Sequence, residues 1–372
     1  MERQIAIIGA GISGLLACKH AVEKGFNPII FESRTTIGGV WAQTIESTKL
    51  QTPKSYYQFS DFAWPSSVTE TFPDHNQLMD YIQSYALHFN ILPRIKFNSR
   101  VIEIDYSTPS DKDLLRWDLW GGTGGPFSDT GKWTITVQDV QHPLAEPQVY
   151  QVDFVILCIG KFSDLPNIPD FPTNEGPEAF DGEVIHSMDY AAMSDNDAAQ
   201  FIKEKMITVI GFQKSALDVA TEVAKRNGVR HPCTLLFKKV YWTAPEKLIP
   251  VIFQNLNRFT ELMIHKPGEG FFPWLLALLL SPLLWIFLKS VESYLKWIYP
   301  LKKYNMIPSH SFLKQIYSCM FTATPTNFYD RVEEGSLIFK KSQAFSFCKN
   351  GLILDGETKP LVTDIVIFAY RI

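Results

Sequence analysis

Gln4-Ile5-Ala6-Ile7-Ile8-Gly9-Ala10-Gly11-Ile12-Ser13-Gly14 opens the chain with a short apolar run that breaks into a glycine-rich turn. A helical stretch follows over 15–24, and a second apolar run, Pro28-Ile29-Ile30-Phe31, ends on Glu32. Strand, glycine turn, helix, strand and acid in this order form a dinucleotide-binding unit. Gly9 permits the tight turn, Gly11 lets backbone approach a pyrophosphate, and Gly14 lets helix and strand pack closely. The helix N-terminus then faces the phosphate charge. Glu32 lies 18 residues beyond Gly14, where an acid can hydrogen-bond a ribose hydroxyl.

The pattern recurs about 200 residues later. Met206-Ile207-Thr208-Val209-Ile210 reads as a strand, Gly211-Phe212-Gln213-Lys214-Ser215-Ala216 as the turn, 217–226 as a helix and Thr234-Leu235-Leu236-Phe237 as the next strand. The repeat predicts an α/β chain with two Rossmann-like dinucleotide domains. Between the units, 76–89 is helix-like, Trp133-Thr134-Ile135-Thr136-Val137 alternates as a strand, and Val152-Asp153-Phe154-Val155-Ile156-Leu157 is an apolar run. Residues 120–131, rich in Gly, Ser and Thr, read as a hairpin loop. Pro166, Pro169 and Pro172 suggest a crossover, and further strands are expected at 337–339, 344–347 and 365–368.

At 372 residues the chain can hold two domains, and 46% hydrophobic content can fill their cores. A net charge of −4 points to no general nucleic-acid role. Its five cysteines form no CxxC pair, so neither a disulfide framework nor a zinc site is expected, and a reducing compartment is the simpler setting. The five-residue apolar run before Gly9 is too short for a signal-peptide core.

Phe180-Asp181-Gly182-Glu183-Val184-Ile185-His186-Ser187-Met188-Asp189-Tyr190 matches FxGxxxHxxx[FY] at Phe180, Gly182, His186 and Tyr190. With the two glycine turns and Gly38-Gly39-Val40-Trp41, this resembles the flavin-containing monooxygenases over essentially the whole chain. The turn at 211–216 and the apolar insertion around 274–285 resemble the plant branch, in particular its defence-associated pipecolate N-hydroxylases. The resemblance implies FAD and NADPH as cofactors, a C4a-hydroperoxyflavin made from dioxygen, and oxygenation of a small amine or sulfur compound. The cofactor then carries the chemistry, and the protein must bind, orient and exclude water. The resemblance places an FAD-binding part over 1–165 and an NADP-binding domain over 166–325, with an apolar insertion at 245–310. A return to the FAD domain, left incomplete, is expected over 326–372. The rivals are thioether S-oxygenation and an inactive flavoprotein. A flavin disulfide reductase would need a close cysteine pair, which is missing here.

The expected FAD contacts are Gly9, Gly11, Gly14 and Glu32, with Gly39 and Trp41 near the pyrophosphate. Relatives carry an Asn near the reacting flavin. Gln51, counted back from Ser60-Asp61-Phe62, stands in its place and offers the same amide on a longer arm. His186 is read as a structural histidine in a fingerprint that shapes the junction of the nucleotide domains. At the second turn Gly211 starts the bend, but Gln213 stands where a second glycine belongs. Lys214 and Ser215 are expected to compensate by contacting phosphate oxygens. Lys238 and Lys239 follow the next strand, which ends on no acid, and so favour NADPH over NADH.

Two segments stand apart. Residues 271–288 are almost wholly apolar, with Pro273 and Pro282 weakening a single spanning helix. A wall over the substrate tunnel, an interfacial insertion anchored by Trp274, Trp285, Lys289 and Lys296, and a true span all compete. The interfacial reading suits a cytoplasmic protein on the cytosolic face of the endoplasmic reticulum. The last residues, Asp364-Ile365-Val366-Ile367-Phe368-Ala369-Tyr370-Arg371-Ile372, follow the family's D-x-V-x-x-A-T-G as far as Ala369. Relatives continue further, so a C-terminal truncation, weaker flavin binding and uncoupled NADPH oxidation are expected.

Overall fold

The computed structural model describes residues 3–107, 132–161, 166, 168–255, 257–318, 320 and 322–369. The hairpin loop expected at 120–131 and the final Tyr370–Ile372 lie outside them. The chain divides into two compact units, the first comprising 1–44, 60–68 and 75–165, the second 45–59, 69–74 and 166–372.

In the first unit, β1 (Gln4–Ile8), β2 (Asn27–Phe31), β3 (Ile95–Lys96) and β7 (Phe154–Leu157) form a parallel sheet in the order β3-β2-β1-β7. Helix α1 (Ile12–Glu23) packs on it and buries Leu15, Cys18 and Ala21. An antiparallel sheet of β4 (Ser99–Tyr106), β5 (Trp133–Asp139) and β6 (Gln148–Val152) places Ile135, Val137 and Val152 in one apolar cluster with Ala6, Ile8 and Phe31. The apolar run at 152–157 is therefore two strands of two sheets. Asp153 marks the break, its carboxylate accepting the Gln4 N–H at 2.7 Å. Helix α2 (His75–His88) completes the unit.

The second unit repeats this plan. Strands β8 (Glu183–His186), β9 (Ile207–Ile210), β10 (Cys233–Phe237), β13 (Leu337–Lys341) and β17 (Ile365–Phe368) form a parallel sheet in the order β13-β10-β9-β17-β8. The three inner strands, β10, β9 and β17, are nearly continuous in apolar residues and fully buried because both faces are covered. Ile207, Val209, Ile365 and Ile367 share a core with helix α3 (Lys214–Asn227). Ile210, Val366 and Phe368 face the other way, toward Phe347, Leu352 and Leu354. Those residues belong to an antiparallel sheet of β14 (Phe345–Cys348), β15 (Gly351–Leu354) and β16 (Leu361–Val362), while β11 (Thr243–Ala244) pairs in parallel with β12 (Thr322–Ala323). The period-two alternation of a strand produces this division.

Two expectations need correction. Residues 326–369 do not return to the first domain: β17 lies between β8 and β9 with four parallel pairs to each, fully buried, and is a central strand of the second sheet. The apolar insertion is not broken by its prolines. Helix α4 (Phe271–Ile298) runs through Pro282. Pro282 removes the N–H that would bond the Leu278 carbonyl, and Ser281 Oγ donates to that carbonyl at 3.3 Å. Pro273 sits in the first turn, where no intrahelical bond is lost.

Candidate functional site: two glycine bends of one design

The first bend is fixed by backbone geometry. Gly9 has φ +104° and donates its N–H to the Phe31 carbonyl at 2.8 Å. A Cβ on Gly9 would lie 2.6 Å from the Cys158 carbonyl oxygen, and one on Gly14 would overlap the Gly9 carbonyl. Gly39, at φ +59°, brings its turn against Gly11, where a Cβ would stand 3.1 Å from the Gly11 Cα. Helix α1 begins at Gly11 with no side-chain cap and no acid in its first turn. Its leading N–H groups have no acceptor within the helix, which suits a pyrophosphate.

Glu32 is buried and closes the bend. Its Oε2 accepts the Ala10 N–H at 2.7 Å, and its Oε1 accepts the Arg34 N–H at 3.0 Å. The acid expected at a ribose thus also holds the glycine loop to the end of β2. Arg34, which the motif did not single out, orders the next turn by donating to the Gly39 carbonyl at 2.9 Å and to Gln43 Oε1 at 2.5 Å. Trp41 stands half-buried in that turn.

The second bend copies the first. Gly211, at φ +140°, donates to the Leu236 carbonyl at 2.9 Å, and its Cβ would lie 2.7 Å from the Ala369 carbonyl oxygen. Cys158 and Ala369 hold matching places, each donating its N–H at 2.9 Å to the last residue of the strand before the bend, Ile8 or Ile210. Helix α3 also starts without a side-chain cap or first-turn acid, so phosphate fits here too. The two bends differ at the third glycine. Ala216 carries the Cβ that Gly14 cannot carry, so the second turn is looser.

Lys214 departs from its expected place. Its Nζ donates to Asp218 Oδ1 at 2.6 Å, so its charge is held on the helix one turn down, not offered to phosphate. Asp218 Oδ2 also accepts from Thr48 Oγ1 at 2.9 Å. Burial pushes the Asp218 carboxyl up, against the downward pull of Lys214 and the Thr48 hydrogen bond. Lys214, Asp218, Glu222 and Arg226 make an i,i+4 ladder along α3, with Arg226 Nη2 3.3 Å from Glu222 Oε1. Glu222 further accepts from Ser47 Oγ at 2.5 Å and Tyr190 Oη at 3.2 Å. The ladder lines a cavity of about 360 Å³ whose wall includes Ser47, Lys49 and Thr324. The spacing of four was present in the sequence; only the burial of its acids was hidden.

Ser215, Lys238 and Lys239 are exposed, the two lysines directly after the carboxyl end of β10, where phosphate ligands of parallel sheets sit. Gln51 lies within the second unit, its Oε1 accepting the Ala323 N–H at 3.1 Å, so half of the amide expected beside a flavin serves the backbone. The fingerprint residues make the following contacts inside the second unit. Phe180 packs on Phe347, a Cβ at Gly182 would overlap the Asp364 carbonyl, and Tyr190 donates to Glu222. His186 caps the helix Ser187–Ala192, its Nδ1 accepting from Met188 N–H at 3.3 Å while its own N–H donates to Asp189 at 2.9 Å.

Residues 2–229 match the flavin-binding monooxygenase-like family. The chain belongs to that family. Over 98% of its length it is 37% identical to the probable flavin-containing monooxygenase 1 of Arabidopsis thaliana, and it spans 69% of that relative. The putative flavin-containing monooxygenase 2 of the same plant is 34% identical over 98% of the chain and 71% of the relative. Among solved structures, open cyclohexanone monooxygenase superposes with a TM-score of 0.65 at 15% identity, over 100% of this chain and 73% of that one. The OTEMO complex with FAD and NADP gives 0.65 at 15% identity, over 99% and 71%. These likenesses confirm the fold of two Rossmann-like domains. Enzymes of the flavin-binding monooxygenase-like family are flavin-dependent monooxygenases, and FAD and NADPH are their cofactors.

Proposed function

We propose that this flavin-binding monooxygenase-like chain oxygenates a small soft nucleophile, with the FAD pyrophosphate at the Gly9–Gly14 bend and NADPH at the Gly211 bend. The preferred acceptor is an amine nitrogen, as in N-hydroxylation of pipecolic acid by the defence-associated plant branch it resembles. Sulfur of a thioether is the alternative. The observation that carries the reading is the duplicated bend: a positive-φ glycine wedged against the carbonyl just past a neighbouring strand, followed by an uncapped helix, occurs twice in one chain. When bound, the flavin, reduced by NADPH, supplies activated dioxygen; one oxygen atom goes to the substrate and the other leaves as water. The chain's residues hold and orient. Glu32 and Arg34 set the first loop, Ser215 and the leading amides of α3 face phosphate, and Lys238 and Lys239 receive the 2′-phosphate. Gln51 is proposed to turn its remaining amide donors toward the reacting centre. We also place a peripheral membrane contact in this reading, at 271–288, because most of that stretch is exposed.

Oxygen uptake and product mass spectrometry, with pipecolate and a thioether offered separately, test the reading. NADPH-driven formation of an N-hydroxylated product supports it, a sulfoxide alone supports the alternative, and NADPH oxidation with neither product contradicts both. Lys238→Ala/Lys239→Ala is expected to cut the preference for NADPH over NADH by about tenfold or more, the loss of one charge-assisted phosphate contact. An unchanged preference would show that the pair is only a solvated surface feature.

A further inference from the structure

The outer face of α4 serves neither bend. We infer that α4 lies in the plane of a membrane surface, its outer face seated in one leaflet of a bilayer, and does not cross it. This mode rests on the peripheral contact proposed above. Phe272, Leu279 and Trp285 are 81%, 67% and 58% exposed, and Leu278, Leu283 and Ile286 are exposed beside them. Contiguous apolar surface of this kind marks an interaction site.

The other side of the helix decides the mode. From its middle onward Leu284, Phe287, Leu288, Val291, Leu295 and Ile298 pack into the core of the second unit. Glu292, buried beside them, accepts the Phe312 N–H at 2.9 Å and Lys289 Nζ at 2.7 Å. A spanning helix would carry this stripe into the bilayer, and the stripe is already packed into the core of the second unit, with buried Glu292 held there. The charge-free stretch 271–288 reaches about 27 Å at 1.5 Å per residue, just under the roughly 30 Å hydrocarbon core.

The flanking chemistry identifies the occupant as lipid rather than another protein surface. Trp274, Tyr294 and Trp297 are exposed along the helix, as interfacial anchors are. Between 266 and 303 the chain carries five lysines against two glutamates, complementary to anionic headgroups. An apolar face about one side wide with cations around it is the pattern of a helix buried shallowly at the headgroup boundary.

The full chain, loaded with FAD, is floated with phosphatidylcholine vesicles with and without phosphatidylserine. Tryptophan quenching is then read with lipids brominated near the headgroup or near the chain end. The expected result is flotation that phosphatidylserine strengthens and salt weakens, with the shallow bromines quenching most. Leu279→Glu/Ile286→Glu, on the outer face, is expected to reduce partitioning about tenfold or more, with circular dichroism and flavin content unchanged. Should that variant misfold, Phe272→Ser and the quenching profile of the unaltered chain carry the test. Flotation that survives carbonate, with deep bromines quenching as strongly as shallow ones, would overturn the in-plane mode while leaving the contact standing. Absence of flotation would overturn contact and mode together, and a stable dimer on sizing columns would then name a second copy as the occupant. None of these outcomes depends on turnover, so failure of the oxygenase reading is distinguishable.

Discussion

Gly14→Ala is expected to yield protein that purifies without flavin and unfolds early. The added methyl has nowhere to go. It would overlap the Gly9 carbonyl, which is itself fixed by the bend's φ of +104° and by the Gly9 N–H bond to Phe31. Relief requires moving α1 off the sheet or opening the turn, and either change disperses the amides meant for pyrophosphate. Overpacking of rigid backbone costs about 3 kcal/mol or more, and FAD affinity should fall by well over about tenfold. Gly25→Ala is the control. Gly25 also has positive φ, +77°, but its Cβ would meet nothing within 4 Å, so only backbone strain of about 1 kcal/mol is expected. Thermal unfolding and released-flavin analysis of both variants check this; equal behaviour would show that close packing at Gly14 is not the cause.

Lys214→Met should destabilise the second unit through the acid it leaves behind. Asp218 is buried, and its carboxylate would keep Thr48 as a partner but lose its only adjacent ammonium among the described residues. Removing one member of a buried pair costs about 3–5 kcal/mol. The sign of the pH dependence follows from the Asp218 carboxyl, which burial raises in the folded state. A raised acid binds its proton more tightly folded than unfolded, so protonation favours the fold. The deficit in Lys214→Met should be full at neutral pH and shrink as pH falls through the folded value toward the ordinary carboxylate range. Lys214→Met/Asp218→Leu should recover most of the loss at neutral pH, because no buried charge then lacks a partner. Denaturant titrations at several pH values measure this. A deficit independent of pH would show that Lys214 acts by packing its stem rather than by neutralising Asp218.

Much of this was legible beforehand because glycine turns report on backbone. Gly9, Gly14 and Gly211 could be placed from the sequence since a tight turn and a close helix–strand approach admit little else. Side-chain partners were harder. Lys214 looks like a phosphate ligand by position, and only the packing of residues 45–59 against α3 shows that Asp218 is buried and claims it. The acids 218 and 222 read as an ordinary solvated i,i+4 pattern until burial is known. An apolar strand carries no mark of its sheet, so the place of β17 in the second domain is not legible; its parallel register with β8 and β9 is long-range information. The helix through Pro282 is hidden from propensity because Ser281 replaces the lost backbone donor, a compensation that helix propensity does not weigh.

With FAD at the first bend and NADPH at the second, as proposed, NADPH should reduce the flavin. Anaerobic addition of NADPH to the purified protein tests it most directly. The protein is expected to be yellow, with a visible flavin band that bleaches on mixing and returns when air is admitted. Colourless protein, or a flavin band that NADPH leaves unchanged, would contradict it.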